Sequence, residues 1–332
     1  MTASTSNENY VLYGTGFSLF TRKLEAALQF YEAPFEFSQK QPQNSGDIET
    51  RAGTHQVPVL KTPENWMIAD TTPIIDLLDA RFPQRRLVPE GPLGVLVHVL
   101  EEIVDEWFAR VMVHYRWHYA ENTRHVVATV LGREVSLEEA SAFPLAKWGP
   151  RACRATGTES PHQQKMAEAE YMALLDALEV QLGTTRYALG DRPTALDTIL
   201  LGGLRAHTNN DPYPDLSRYV KVLAWQQGGA DDWDGRGELA AFPSSTPLAD
   251  RLLDIGRDLY APFVLGNAAA LAEGRKAFVV ETYGEDTSYL ARPYPERSRT
   301  MIKQRIAHRL DDAERKIVLG WLEERGLACF AP

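Results

Sequence analysis

The sequence predicts an α/β domain over residues 8–84 followed by an all-α domain over residues 92–332. Three observations carry that expectation. Short β-rich runs alternate with single helical stretches only before residue 84, a proline-rich break follows, and beyond it almost every periodic segment repeats at the helical spacing.

The elements can be taken in order. Tyr10 to Tyr13 is a short run of β-formers stopped by Gly14 and Gly16, as a strand ended by turn residues should be. From Arg22 to Tyr31, Leu24, Ala27, Leu28 and Tyr31 fall at helical spacing. Pro34 to Phe37 alternates apolar and polar, which predicts a second strand, and a right-handed crossover would set it parallel to the first. Ser38 to His55 is polar and reads as a loop with one short helical possibility. Val57 to Leu60 and Trp66 to Ile68 flank a turn-rich connector and predict an antiparallel hairpin. A helix over Thr72 to Phe82 closes the domain, and Pro83 to Pro92 reads as the linker.

The second domain opens with a long helix over Leu93 to Tyr119, carrying Leu96, Leu100, Ile103, Val104, Trp107 and Val111 along one side. Further helices are expected over His162 to Leu182, Thr194 to His207, Leu216 to Gln226, Leu248 to Glu273 and Thr300 to Glu324. Phe278 to Thr282 is a lone strand or half of a small hairpin, and Gly228 to Ser245 is a loop.

Composition bounds the function. The formal net charge of −10 argues against a general nucleic-acid binder. The stretch from Arg292 to Arg309 holds five arginines and one lysine, but acidic neighbours make it a solvated face first. Two distant cysteines exclude a disulfide framework and suit a reducing, cytoplasmic setting. No run is apolar enough to span a membrane, the polar start carries no leader-like core, and no spacing suggests a metal site.

Four segments in register resemble the glutathione transferase superfamily. Tyr13 to Arg22 looks like the segment that carries a catalytic Cys or Ser, with Ser18 at that position. Gln56-Val57-Pro58 is similar to the Val-Pro pair whose proline is cis throughout the superfamily. Asp70-Thr71 resembles the segment that holds the γ-glutamyl end of glutathione, with Asp where the family usually has Glu. Thr194 and Asp197 match the family's buried N-capping box and read as a folding element. The resemblance spans residues 10–226, and an extension from about residue 262 has no counterpart in the shorter transferases. It implies a thioredoxin-like first domain, a helical second domain and a homodimer.

The chemistry follows from the thiol. Free glutathione, with a thiol pKa of about 8.5, is mostly protonated at neutral pH, so an enzyme must stabilise the thiolate. Ser18, just before the first helix, offers a hydroxyl together with the positive end of that helix; the other reading of it is a cap alone. Tyr13 at the end of the first strand is the rival donor. The resemblance implies that the Val57 backbone pairs with the cysteinyl part of glutathione and that Asp70 and Thr71 take the γ-glutamyl end. Lys40 and Gln56, with His55 and Arg22 nearby, are candidates for its carboxylates. A hydrophobic electrophile would sit against the long helix, where Tyr115 and His118 belong to an aromatic cluster. The expected activity is transfer of an alkyl or aryl group to glutathione, of the detoxifying kind, without a metal. The alternative is a non-catalytic glutathione-transferase-like binding or scaffold protein.

Overall fold

The computed structural model describes residues 9–231 and 233–332, so the polar start over residues 1–8 lies outside the described residues. β1 (Tyr10–Gly14), α1 (Leu19–Phe30) and β2 (Phe35–Gln39) form the crossover unit, with β1 and β2 parallel. The polar stretch after β2 is more ordered than a loop. There α2 (Pro42–Ala52) starts with Gln41 and Asn44 exchanging capping hydrogen bonds and ends at Gly53, whose φ of +68° favours glycine. β3 (Val59–Lys61) and β4 (Met67–Ala69) pair antiparallel, and α3 (Thr71–Arg81) follows. The sheet order is β2-β1-β3-β4, with β3 antiparallel to the central β1.

The expected long helix is divided. α4 (Gly91–Glu102) passes through a wide π turn at Ile103–Trp107 into α5 (Ala109–His118). Three short helices then occur where sequence patterning suggested none: α6 (Ala120–Leu131), α7 (Leu137–Ala142) and α8 (Gly149–Ala155). α9 (Pro161–Gln181) is the longest helix among the described residues. α10 (Ala195–Gly203) runs into a second π turn at Leu204–Thr208, and α11 (Val220–Gly228) follows.

α12 (Pro247–Ile255) and α13 (Ala261–Ala272) are joined by a third π turn, Gly256–Tyr260. β5 (Ala277–Thr282) and β6 (Glu285–Leu290) make a separate antiparallel hairpin, so the region is predominantly rather than wholly helical. The last helix of the sequence reading is two helices, α14 (Pro293–Arg309) and α15 (Asp312–Glu324). Asp311 accepts from the Glu314 N–H at 2.8 Å and donates its own N–H to the Glu314 carboxylate at 3.1 Å, a capping box that restarts the helix.

One continuous apolar core runs through both parts, from Leu12, Leu24 and Leu28 through Leu196 and Leu201 to Phe330. α1 packs closely on α10, and Gly202 makes that approach possible. A Cβ there would lie 2.7 Å from the Leu19 carbonyl oxygen and 2.9 Å from the Lys23 nitrogen. The segment beyond residue 262 belongs to this core: Phe330 is fully buried and its ring stacks on Tyr260 at 5.9 Å. α14 and α15 both lie against α4.

Candidate functional site

A cavity of about 260 Å³ opens where the first domain meets α4 and the start of α14. Its walls come from three regions of the chain. Gln56, Val57, Pro58, Asp70 and Thr71 line it from the loop before β3 and the start of α3, and the Val57–Pro58 bond is cis. Thr54 and Phe20 complete that side. Asp105 and Glu106 enter from the π turn after α4, and Arg292, Pro293 and Tyr294 from the segment that begins α14.

Each wall has a local cause. Thr71 opens α3, so the positive end of that helix borders the cavity. Asp70, the residue before it, has φ +75°, a left-handed conformation that a non-glycine side chain adopts only under constraint. Burial pushes its carboxyl up, while Lys23 pulls the other way. The π turn inserts an extra residue into the helix and presents two consecutive carboxylates to the same space, a placement typical of such turns at functional sites.

An ion cluster built on the fully buried Lys23 runs from the cavity wall into the core. The Lys23 ammonium of α1 donates to Glu101 and, at 2.5 Å, to Asp105. Burial alone would depress that ammonium; the negative charges of Asp105 and Glu101 override it and hold it well above the ordinary lysine range. Glu102 accepts from the Tyr260 hydroxyl at 2.5 Å. Glu106 pairs with Arg292 at 2.8 Å, and burial pushes the Glu106 carboxyl up against the pull of that guanidinium.

The residues singled out from sequence divide into those that share the cavity and those that do not. Gln56, Val57, Pro58, Asp70 and Thr71 come together as its lining. Ser18 caps α1: its Oγ accepts from the Thr21 N–H at 3.2 Å, which leaves the hydroxyl proton to donate elsewhere. Tyr13 is half-buried in the middle of the sheet, opposite Ser38 on β2 and Val59 on β3. Lys40 pairs with Glu49 at 2.8 Å and donates to the His55 carbonyl oxygen at 2.5 Å, which spends its charge on α2. Arg22 is bound to Glu25 at 2.6 Å. None of Ser18, Tyr13, Lys40 and Arg22 lines the cavity.

Tyr115 and His118 lie farther along the helical region. Tyr115 is buried among the rings of Tyr119 at 5.6 Å and Tyr171 at 6.3 Å. His118 is exposed, with Nε2 3.1 Å from the Thr158 carbonyl oxygen. The apolar space beside α5, lined by Leu19, Phe108, Met112 and Tyr171, is filled by those side chains down to about 10 Å³. That leaves room for about one water.

Sequence reasoning missed Asp105, Glu106, Arg292 and Tyr294. A signal was present for the first two. Glu101, Glu102, Asp105 and Glu106 interrupt a helix whose other residues from Val95 to Val111 are mostly apolar, and Lys23 stands in the apolar pattern of α1. Buried charges in such runs need partners. Among the described residues no group of three or more His, Cys, Asp or Glu side chains is arranged to hold a metal ion, and no helix is long and apolar enough to cross a membrane.

With this geometry in place, comparisons with known proteins can be stated. Residues 12–86 match the family model described as glutathione S-transferase, N-terminal domain. No curated protein sequence matches the chain. Among solved structures, a glutathione S-transferase from Rhodospirillum rubrum is similar at 17% identity, covering 73% of this chain and 99% of that one, with a TM-score of 0.46. A glutathione transferase homologue from Sulfitobacter, crystallised with glutathione, has 14% identity, covers 69% of this chain and 95% of its own, and has a TM-score of 0.43. The β-etherase LigF from Sphingobium sp. strain SYK-6 has 18% identity, 68% and 96% coverage, and a TM-score of 0.49. The cavity lining at Gln56 to Pro58 and at Asp70 and Thr71 falls inside the matched residues, so that part of the site lies in the stretch similar to the glutathione S-transferase N-terminal domain.

Proposed function

We propose that the protein is a glutathione transferase, which activates the glutathione thiol for attack on a hydrophobic electrophile. The observation that carries this reading is the convergence of Gln56, Val57, Asp70 and Thr71 on one cavity at the open end of α3. The Thr71 hydroxyl and the positive end of α3 suit a carboxylate, and Val57 has backbone groups that suit an extended peptide. Phe20, Pro293 and Tyr294 give the same cavity an apolar side for the second substrate. Ser18 is the proposed thiol donor and Tyr13 its rival, because the Ser18 hydroxyl proton is unspent and its helix adds a favourable field. A homodimer in the cytoplasm belongs to the same reading, and the mass of the protein in solution tests the dimer.

The deciding experiment is a calorimetric titration of the full chain with reduced glutathione, followed by the pKa of the bound thiol in Ser18→Ala and Tyr13→Phe. Micromolar to low-millimolar binding is expected, with the bound thiol depressed in the parent and restored by Ser18→Ala. The parent shift should be about one to three units, each worth ~1.4 kcal/mol. Absence of binding at several millimolar would sink the reading, and binding without turnover of any electrophile would favour a binding protein.

A further inference from the structure

The cavity wall contributed by the end of the chain is built, not incidental. Asn267 of α13 is fully buried and clamps the Arg292 backbone from both sides: its side-chain oxygen accepts from the Arg292 N–H at 2.8 Å, and its amide donates to the Arg292 carbonyl oxygen at 2.9 Å. Pro293 then fixes the first residue of α14. So held, the Arg292 guanidinium reaches Glu106, whose side chain is 5% exposed, at 2.8 Å inside the cavity.

Charge in this corner is mixed and unequal. Asp70, Asp105 and Glu106 line the space with Arg292 as the cation among them, while Lys23 stands behind Asp105. A purely structural ion pair would need one acid. Three acids and one planar, bidentate base fit a ligand that presents an ammonium and a carboxylate on the same carbon. The γ-glutamyl end of glutathione is such a group, and the start of α3 that borders this corner is where the glutathione reading seats it.

Resting on that reading, we propose that Arg292 binds the α-carboxylate of the γ-glutamyl residue while Asp105 and Glu106 hold its α-ammonium. The C-terminal segment then selects the amino-acid end of the tripeptide. The ion pair between Arg292 and Glu106 is the resting arrangement, and each partner exchanges it for the matching charge of the ligand. Asp70 is left to position the open end of α3.

The test is calorimetric titration of the full chain with three probes: glutathione, 4-aminobutyryl-cysteinylglycine, which lacks that carboxylate, and glutaryl-cysteinylglycine, which lacks that ammonium. Arg292→Ala should weaken glutathione about tenfold or more, on the scale of a lost hydrogen bond to a charged group, and leave the 4-aminobutyryl probe unchanged. Glu106→Gln should weaken glutathione and leave the glutaryl probe unchanged. Arg292→Lys, which keeps the charge and the pairing with Glu106, should fall between the parent and Arg292→Ala and guards against a folding artefact. Equal losses for all three probes, or no loss of glutathione in Arg292→Ala, overturn the proposal while the glutathione reading stands. Failure of the parent to bind glutathione overturns both.

Discussion

Replacing Lys23 by methionine tests whether the buried ion cluster holds the first domain against the helical region. The side chain is fully buried, and its ammonium is the cation bound to two carboxylates, Glu101 and Asp105, that are themselves buried. Removing it leaves both acids uncompensated, a situation that destabilises by about 3–5 kcal/mol. In the parent, burial already pushes Glu101 up to about 7, above its unfolded value. A carboxyl raised in the fold favours folding fully below its unfolded pKa, and that share is lost as pH rises through the folded value.

Lys23→Met raises Glu101 further, so the variant falls behind the parent most at pH 9 and recovers toward pH 7. One additional carboxyl that stays protonated in the fold across that interval contributes about 1.4 kcal/mol per pH unit, or ~2.7 kcal/mol in all. Urea unfolding at pH 7 and pH 9 reads both quantities, provided the slope of each transition is unchanged. Adding Glu101→Gln and Asp105→Asn to Lys23→Met should recover most of the loss, since a buried pair replaced as a whole is often nearly neutral. A variant within about 1 kcal/mol of the parent at pH 9, or a deficit that does not change with pH, would refute the reasoning.

Two other perturbations read the fold itself. Asp197→Ala removes the carboxylate that accepts from the backbone N–H groups of Ala188 and Thr194, each at 2.8 Å, in a fully buried capping box. Losing the cap costs about 1 kcal/mol and each of the two orphaned donors about 1–3 kcal/mol, so urea unfolding should show a loss of ~3–7 kcal/mol. Gly157 has φ +71°, and a Cβ there would lie 2.3 Å from a ring carbon of Tyr289. Gly157→Ala should therefore destabilise by about 2–4 kcal/mol from backbone and overlap together, whereas Gly132→Ala, at φ +66° in open space, should show only the backbone share of about 1 kcal/mol.

The first domain was legible because its signals are local. Alternation at Phe35 and Phe37, helical spacing at Leu24 and Leu28 and the turn before Trp66 each act within a few residues, and each element appears within about three residues of its expected place. Patterning failed at α6 to α8, which are short or partly exposed and so lack a sustained apolar stripe. It also merged α14 with α15, because the stop at Leu310 is a change of backbone direction without glycine or proline. Half of the candidate site was legible for the same local reason: Gln56 to Pro58 and Asp70 to Thr71 are contiguous motifs. Arg292 and Tyr294 were not, because only the three-dimensional return of α14 onto α4 brings them to the cavity, and sequence spacing carries no trace of that return.

The close seating of α1 on α10, with Gly202 under Lys23, has a consequence for synthesis. When the first domain leaves the ribosome, the acids that neutralise Lys23 have not been made, and neither has the surface that covers Leu19 and Leu24. The nascent domain must keep that lysine hydrated and its apolar flank exposed until α4 and then α10 arrive. A ribosome-stalled chain ending before residue 292 would present that cleft without its far wall. The cavity is therefore complete only after α14 has been made and has folded back onto α4.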